Sequence, residues 1–181
     1  MEVHRFESVW AVVSVVLIVA WIGTVTYGAI GPGIAMIDDG GGEIDSESVA
    51  EARSPVNNVT FDQVEGFKAP GVYNGSGEDD YDVYVVAYQF GFAPGSEDPI
   101  EVPEGANVTF YMTSEDVVHG FELAGTNVNT MAIPGQIAKF TVEFEETGTY
   151  GIVCHEYCGA QHHNMAGQLQ VVNASEFGGG N

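Results

Sequence analysis

Twelve consecutive residues near the C-terminal end constrain this chain more than any other stretch: Cys154-His155-Glu156-Tyr157-Cys158-Gly159-Ala160-Gln161-His162-His163-Asn164-Met165. They hold both cysteines, three of the five histidines and one of the five methionines. Two thiolates, an imidazole and a thioether form a soft ligand set, which suits copper better than magnesium, calcium or manganese. A mononuclear blue-copper site needs one cysteine, two histidines and a weak axial methionine. The second cysteine therefore suggests two metal ions sharing two bridging sulfurs. A Cys154–Cys158 disulfide is the competing reading of the pair, but it would need neither His162 nor Met165.

The charge is lopsided, with 26 acidic residues against 4 basic ones and a net charge of −22. So acidic a surface argues against a nucleic-acid partner, which needs basic patches. The acid runs along the chain from Asp38 to Glu176. That spread favours a general solvation adaptation to high salt, of the kind halophiles use, over a local docking face for a cationic partner.

No charged residue lies between Glu7 and Asp38. The 22 residues 9–30 are apolar enough for a membrane span, because a helix crosses a ~30 Å hydrocarbon core in roughly 20 residues. A signal peptide has an apolar region of only about 7–15 residues, so a retained anchor is expected. Trp10 lies near one end of the run and Trp21 and Tyr27 near the other, where amphipathic rings prefer the membrane interface. Arg5 precedes the run and the next basic residue is Arg53. That bias puts the N-terminus in the cytoplasm and the rest of the chain on the extracytoplasmic side of the cell membrane.

The expected division is a transmembrane anchor over 1–37, an acidic Gly/Ser-rich linker over 38–80 and an outer domain over 81–181. Within the linker, Asp38-Asp39-Gly40-Gly41-Gly42 reads as a flexible joint. A short helix is expected over 47–53, stopped by Pro55, and Phe61, Val64 and Phe67 are expected to pack on the outer domain. From Tyr81 onward the pattern becomes β-branched and aromatic. Strands are expected over 81–90, 100–102, 107–113, 120–122, 137–144, 149–153 and 167–172. Such spacing implies an all-β sandwich or barrel, with Phe110, Met112, Val142, Phe144, Ile152 and Leu169 in its core.

The pattern C-x-E-x-C-G-x-x-H-x-x-M resembles the copper A loop of subunit II of haem–copper terminal oxidases. With one membrane helix, the chain is most similar to the B-family oxidases. The resemblance covers about half the chain, from Tyr81 to Val172. It implies a cupredoxin-like Greek-key sandwich holding two copper ions bridged by Cys154 and Cys158. His119 and His162 would each cap one ion, Met165 would be a weak axial ligand, and Glu156 would give its backbone carbonyl. The motif selects His162 over its neighbour His163. In many relatives the side chain at the Glu156 position faces a magnesium site at the junction with subunit I, so a magnesium ion is possible here. Tyr88 and Phe90 fall where the family places aromatics near the copper pole, though core packing would account for them equally well. Glu7 matches a position linked to proton entry; its other reading is an interfacial charge at a helix N-terminus.

The implied function is electron entry into a respiratory oxidase. Single electrons would arrive from a soluble carrier, a cytochrome c or a small blue copper protein. They would pass to haem in subunit I, where oxygen reduction drives proton translocation. The helix would contact lipid and subunit I, and no catalytic residue is expected in this chain. Two rivals are a nitrous oxide reductase-like copper A protein and a membrane-anchored copper chaperone. The first carries a large extra domain, and the second has a thioredoxin-like alternation of helices and strands.

Overall fold

The computed structural model describes residues 5–30, 36–38, 41–54, 60–77 and 79–179. The apolar run forms α1 (Arg5–Ile30). Its stretch Arg5–Tyr27 has a mean hydropathy of 2.3, and none of it is buried. Val9, Leu17, Ile22 and Val25 are all exposed. An evenly apolar, uncovered helix has no amphipathic face to lay on a soluble core, and suits a lipid surround.

β1 (Met36–Asp38) is followed by α2 (Ser46–Arg53), a 3-10 turn (Phe61–Gln63) and β2 (Gly71–Asn74). The Asp45 side chain accepts the Glu47 N–H at 3.1 Å and caps α2. At the other end the Ser54 N–H reaches the carbonyls of Ala50 and Glu51. Pro55, expected as the stop, and Asp39 and Gly40 of the expected joint lie outside the described residues.

The remaining strands are β3 (Asp80–Tyr88), β4 (Gly91–Ala93), β5 (Ile100–Pro103), β6 (Asn107–Ser114), β7 (His119–Leu123), β8 (Asn129–Ala132), β9 (Ala138–Glu143), β10 (Gly148–Val153) and β11 (Ala166–Val172). They form two sheets, one ordered β1-β9-β6-β3-β2 with β4 also on β3, the other β5-β11-β10-β7-β8. The expected all-β sandwich is present. All six expected core residues are buried, and Phe110 stacks on Phe140 with ring centres 4.9 Å apart.

β3 explains why its sequence is an apolar run without clean alternation. Val83, Val85 and Ala87 enter the main core between the sheets. Tyr84 and Val86 point the other way, into a second core with Val49 of α2, Val64 and Phe67. A strand buried on both faces loses the polar half of its period. The segment expected as a linker thus lays α2 and a 3-10 turn against the first sheet and adds β2 to its edge. β1, β2, β4 and β8 were not expected; at three or four residues each, they are too short to show a period of two.

Two pairings set up the metal pole. β3 and β6 run parallel, with Ala87 opposite Ser114, so the chain leaves both strands at the same end of the sandwich. β10 and β11 are antiparallel, with Val153 opposite Ala166, so the loop 154–165 is a closed excursion between two paired strands.

Candidate metal centre

The loop is held at its base by the Cys154 N–H, 3.4 Å from the Met165 carbonyl. Inside it, the N–H groups of His162, Asn164 and Met165 return to the carbonyls of Gly159, Gln161 and His162 at 2.9–3.1 Å. These turns fold the second half of the loop back over the first. Gly159 makes that possible. It has φ of +136°, and a Cβ there would stand 2.8 Å from the Gln89 amide nitrogen and 3.1 Å from the Phe90 ring.

Six atoms gather as a result. Cys154 Sγ and Cys158 Sγ are 3.8 Å apart. Cys154 Sγ is 3.2 Å from the Glu156 carbonyl oxygen. Cys158 Sγ is 3.6 Å from His162 Nδ1 and 3.5 Å from Met165 Sδ. From β7, His119 places Nδ1 at 3.2 Å from Met165 Sδ. The ligand atoms of His119, Cys154 and Cys158 all lie within 4.8 Å of one another. His119 is fully buried, and Cys154, Cys158 and Met165 nearly so; His162 and Glu156 are half-buried.

Metal fits this arrangement better than a disulfide. A disulfide needs sulfurs about 2.05 Å apart, and both cysteines are free thiols. Two thiolates on one ion, with bonds of about 2.3 Å and a near-tetrahedral angle, stand about 3.8 Å apart. Burial and the neighbouring Cys154 sulfur push the Cys158 thiol up to about 11. A bound cation reverses that balance, because it replaces the proton and favours the thiolate. The donors are soft sulfur and imidazole with one carbonyl, a set that selects copper over hard cations.

The far nitrogen of His119 is also accounted for. Nε2 lies 2.7 Å from Asp116 Oδ1, which directs Nδ1 toward the sulfurs and fixes the tautomer a metal ligand needs. Burial raises the Asp116 pKa, but the His119 bond and the N–H groups of Val117 and Gln89 outweigh it, so the carboxyl sits below its ordinary range. The Gln89 N–H reaches Asp116 Oδ2 at 2.7 Å, and the Gln89 side-chain amide donates to the Cys158 carbonyl. Asp116 and Gln89 thus connect the two ligand-bearing segments. Sequence reasoning did not find Asp116, three residues before His119, although a metal-bound imidazole needs a partner for its other nitrogen. Nothing in the local sequence marked Gln89.

The other expected residues divide. Phe90 is half-buried beside Gly159 and packs on the core cluster that contains both cysteines. Tyr88 is half-buried and carries the Arg53 guanidinium 3.6 Å above its ring. His155 turns away from the sulfurs: Nε2 lies 3.2 Å from the Thr130 carbonyl, and its ring covers Gly120, where a Cβ would come within 2.6 Å of it. His163 is exposed. Glu7 lies in the first turn of α1 and is exposed. At the surface of the pole stand Tyr157, 75% exposed, and Val117 and Val153.

Comparison with known proteins agrees with this geometry. Residues 92–172 match the family model for the periplasmic domain of cytochrome c oxidase subunit II. A cytochrome c oxidase subunit 2 from Thermus thermophilus is 45% identical over 96 residues, which span 53% of this chain and 69% of that protein. A chain in the cryo-EM structure of a heme-copper terminal oxidase dimer superposes with a TM-score of 0.59 at 29% identity, covering 93% of this chain and all of that one. The crystal structure of the periplasmic domain of cytochrome oxidase subunit II from Bradyrhizobium japonicum shares the fold, with a TM-score of 0.50 at 23% identity over 53% of this chain and 86% of its own.

Proposed function

Since this chain belongs to the cytochrome c oxidase subunit II family, we propose that it is the electron-entry subunit of a membrane terminal oxidase. Its ligands would be His119, Cys154, Cys158, His162, Met165 and the Glu156 carbonyl. The observation that carries this reading is the convergence of two free sulfurs at 3.8 Å with two imidazoles and a thioether. Two bound copper ions would supply a one-electron couple shared across both sulfurs.

This chain's own residues have three tasks in that function. The paired strands β10 and β11 fix both ends of the ligand loop, and β7 fixes His119, so the donor atoms keep their places when the charge changes. The buried sulfurs exclude water, which keeps solvent rearrangement small. Asp116 holds the Nε2 proton of His119 and keeps Nδ1 free to bind. No nucleophile–base pair is required.

Tyr157, Val117 and the exposed Ala160 and Gln161 form the outer surface of the pole. A soluble donor, either a cytochrome c or a small blue copper protein, would dock there. Subunit I would receive the electron and lie against α1, with lipid around the rest of the helix. The N-terminus would be cytoplasmic and the sandwich extracytoplasmic. The chain would divide into an anchor over 1–37, a connecting segment over 38–80 and the metal domain over 81–181. Magnesium at the Glu156 side chain and proton entry at Glu7 complete the reading. A sandwich without thioredoxin-like alternation gives no support to a chaperone.

The test is electron paramagnetic resonance of the copper-loaded full chain in detergent. The expected result is a seven-line pattern from one unpaired electron shared by two equivalent copper nuclei. A four-line pattern from a single ion would reject the binuclear assignment.

A further inference from the structure

One residue outside the sandwich holds the chain neighbours of both supports of the metal pole. Arg53, at the C-terminal end of α2, clamps Glu115 with two parallel contacts: Nε to Oε2, and Nη2 to Oε1 at 2.8 Å. The same guanidinium lies 3.6 Å over the ring of Tyr88. The side chains of Arg53 and Glu115 are 29% and 15% exposed, so the pair is partly shielded from solvent. A planar fork on a carboxylate, stacked on an aromatic face, suits arginine and not lysine.

Its two contacts are neighbours of the two supports. Glu115 precedes Asp116, which holds His119 Nε2 at 2.7 Å. Tyr88 precedes Gln89, which holds Asp116 Oδ2 through its N–H and the Cys158 carbonyl through its amide. The Glu115 N–H also returns to the Ala87 carbonyl at 3.2 Å. The 115–118 loop and the 88–90 turn are therefore pinned to each other, and Arg53 covers the junction. Other cations of the outer part also lie over tyrosines, Lys68 over Tyr73 and Tyr84 and Lys139 over Tyr111. Of these four contacts onto rings, that of Arg53 is the shortest, and Arg53 also holds a carboxylate, Glu115, that adjoins a support of a metal ligand.

We propose that Arg53 is a positioning residue for the metal centre, acting through Glu115–Asp116 on His119 and through Tyr88–Gln89 on Cys158. The segment before β3 would then be part of the electron-transfer site and not only a tether. Arg53, Tyr88 and Gln89 all precede the stretch 92–172 that the family model matches. This inference rests on the ligand assignment proposed above.

The experiment compares wild type, Arg53→Gln, Arg53→Lys and Lys68→Gln as copper-loaded full chains in detergent. Spectrum, midpoint potential and copper release to a chelator are measured on folded material. Removing a direct partner of a metal ligand costs about 10–100-fold in affinity. One step further out, Arg53→Gln is expected to speed release roughly threefold to tenfold and to shift both the potential and the copper hyperfine splitting. Arg53→Lys keeps the charge but loses the fork, and should recover part of the shift. Lys68→Gln should leave all three readouts unchanged. If Arg53→Gln fails to fold, Arg53→Lys decides the matter by the same measurements. Wild-type values in the folded Arg53 variants would overturn the proposal, even if melting temperature fell. A one-ion spectrum in wild type would defeat the binuclear assignment alone, because release and potential still compare Arg53 variants on that ion. A wild type that takes up no copper would overturn both.

Discussion

The loop 154–165 and the segment 115–119 face the same cluster of donor atoms but are secured in different ways. The loop secures itself. Its ends are clamped by the β10–β11 pair, its turns close on their own carbonyls, and five of the six proposed ligands come from within it. His119 arrives alone, and its orientation depends on Asp116, which is tied in turn to Gln89. The difference teaches where each half can fail. The loop is vulnerable to changes in its own atoms, whereas His119 is vulnerable to residues far from it in sequence.

The strongest test is Cys158→Ser. It removes the sulfur nearest to His162 and Met165, and the two-copper spectrum should vanish. Copper loading of wild type should also release protons and strengthen as pH rises, because the Cys158 thiol is held up to about 11 and must be deprotonated to bind. Titration of copper uptake at several pH values reads both effects. His119→Ala should come next, disturbing or abolishing the centre while the loop keeps its own fold. Unchanged metal content and spectrum would show that the loop suffices alone, and would break the comparison.

Asp116→Asn should have a smaller effect, weakening copper binding by about 10–100-fold. It should also alter the acid profile of the metal-free protein. The Asp116 pKa is lower in the folded chain than in the unfolded one, so its stabilisation is complete above the ordinary aspartate range. That stabilisation is lost as pH falls through the depressed value. Chemical denaturation across acidic pH should show a wild-type loss that Asp116→Asn lacks. The smallest effect on chemistry should come from Gly159→Ala. Its φ of +136° and its 2.8 Å approach to Gln89 predict a loss of about 1–3 kcal/mol in stability. The spectrum of the folded fraction should change little if the loop secures itself.

The two halves also differed in how readable they were. The loop was legible because all its proposed donors lie within twelve residues, in a set that suits a metal and that a disulfide would not need. His119 was found through resemblance, not spacing, since 35 residues separate it from Cys154. The supports were not legible. Asp116 and Gln89 meet only because β3 and β6 pair in parallel, and such a pairing leaves no mark on either strand's own pattern. The main core was readable from β-branched and aromatic runs. The second core was readable in part: Val64 and Phe67 stood out as apolar residues expected to pack on the outer domain, whereas Val49 did not, isolated in the polar sequence of α2.

The parallel pairing of β3 with β6 gives the sandwich a polarity. Its donor atoms and their supports are concentrated at one end, where the loops leaving Tyr88, Ser114 and Val153 meet. The opposite end carries the turn between β9 and β10, which holds none of them. Lengthening a surface turn costs only about 0.6 kcal/mol per doubling. A reporter peptide or fluorophore spliced in between Glu145 and Thr147 should therefore leave the colour of the centre unaltered, which makes that tip a practical handle for watching the assembled oxidase at work.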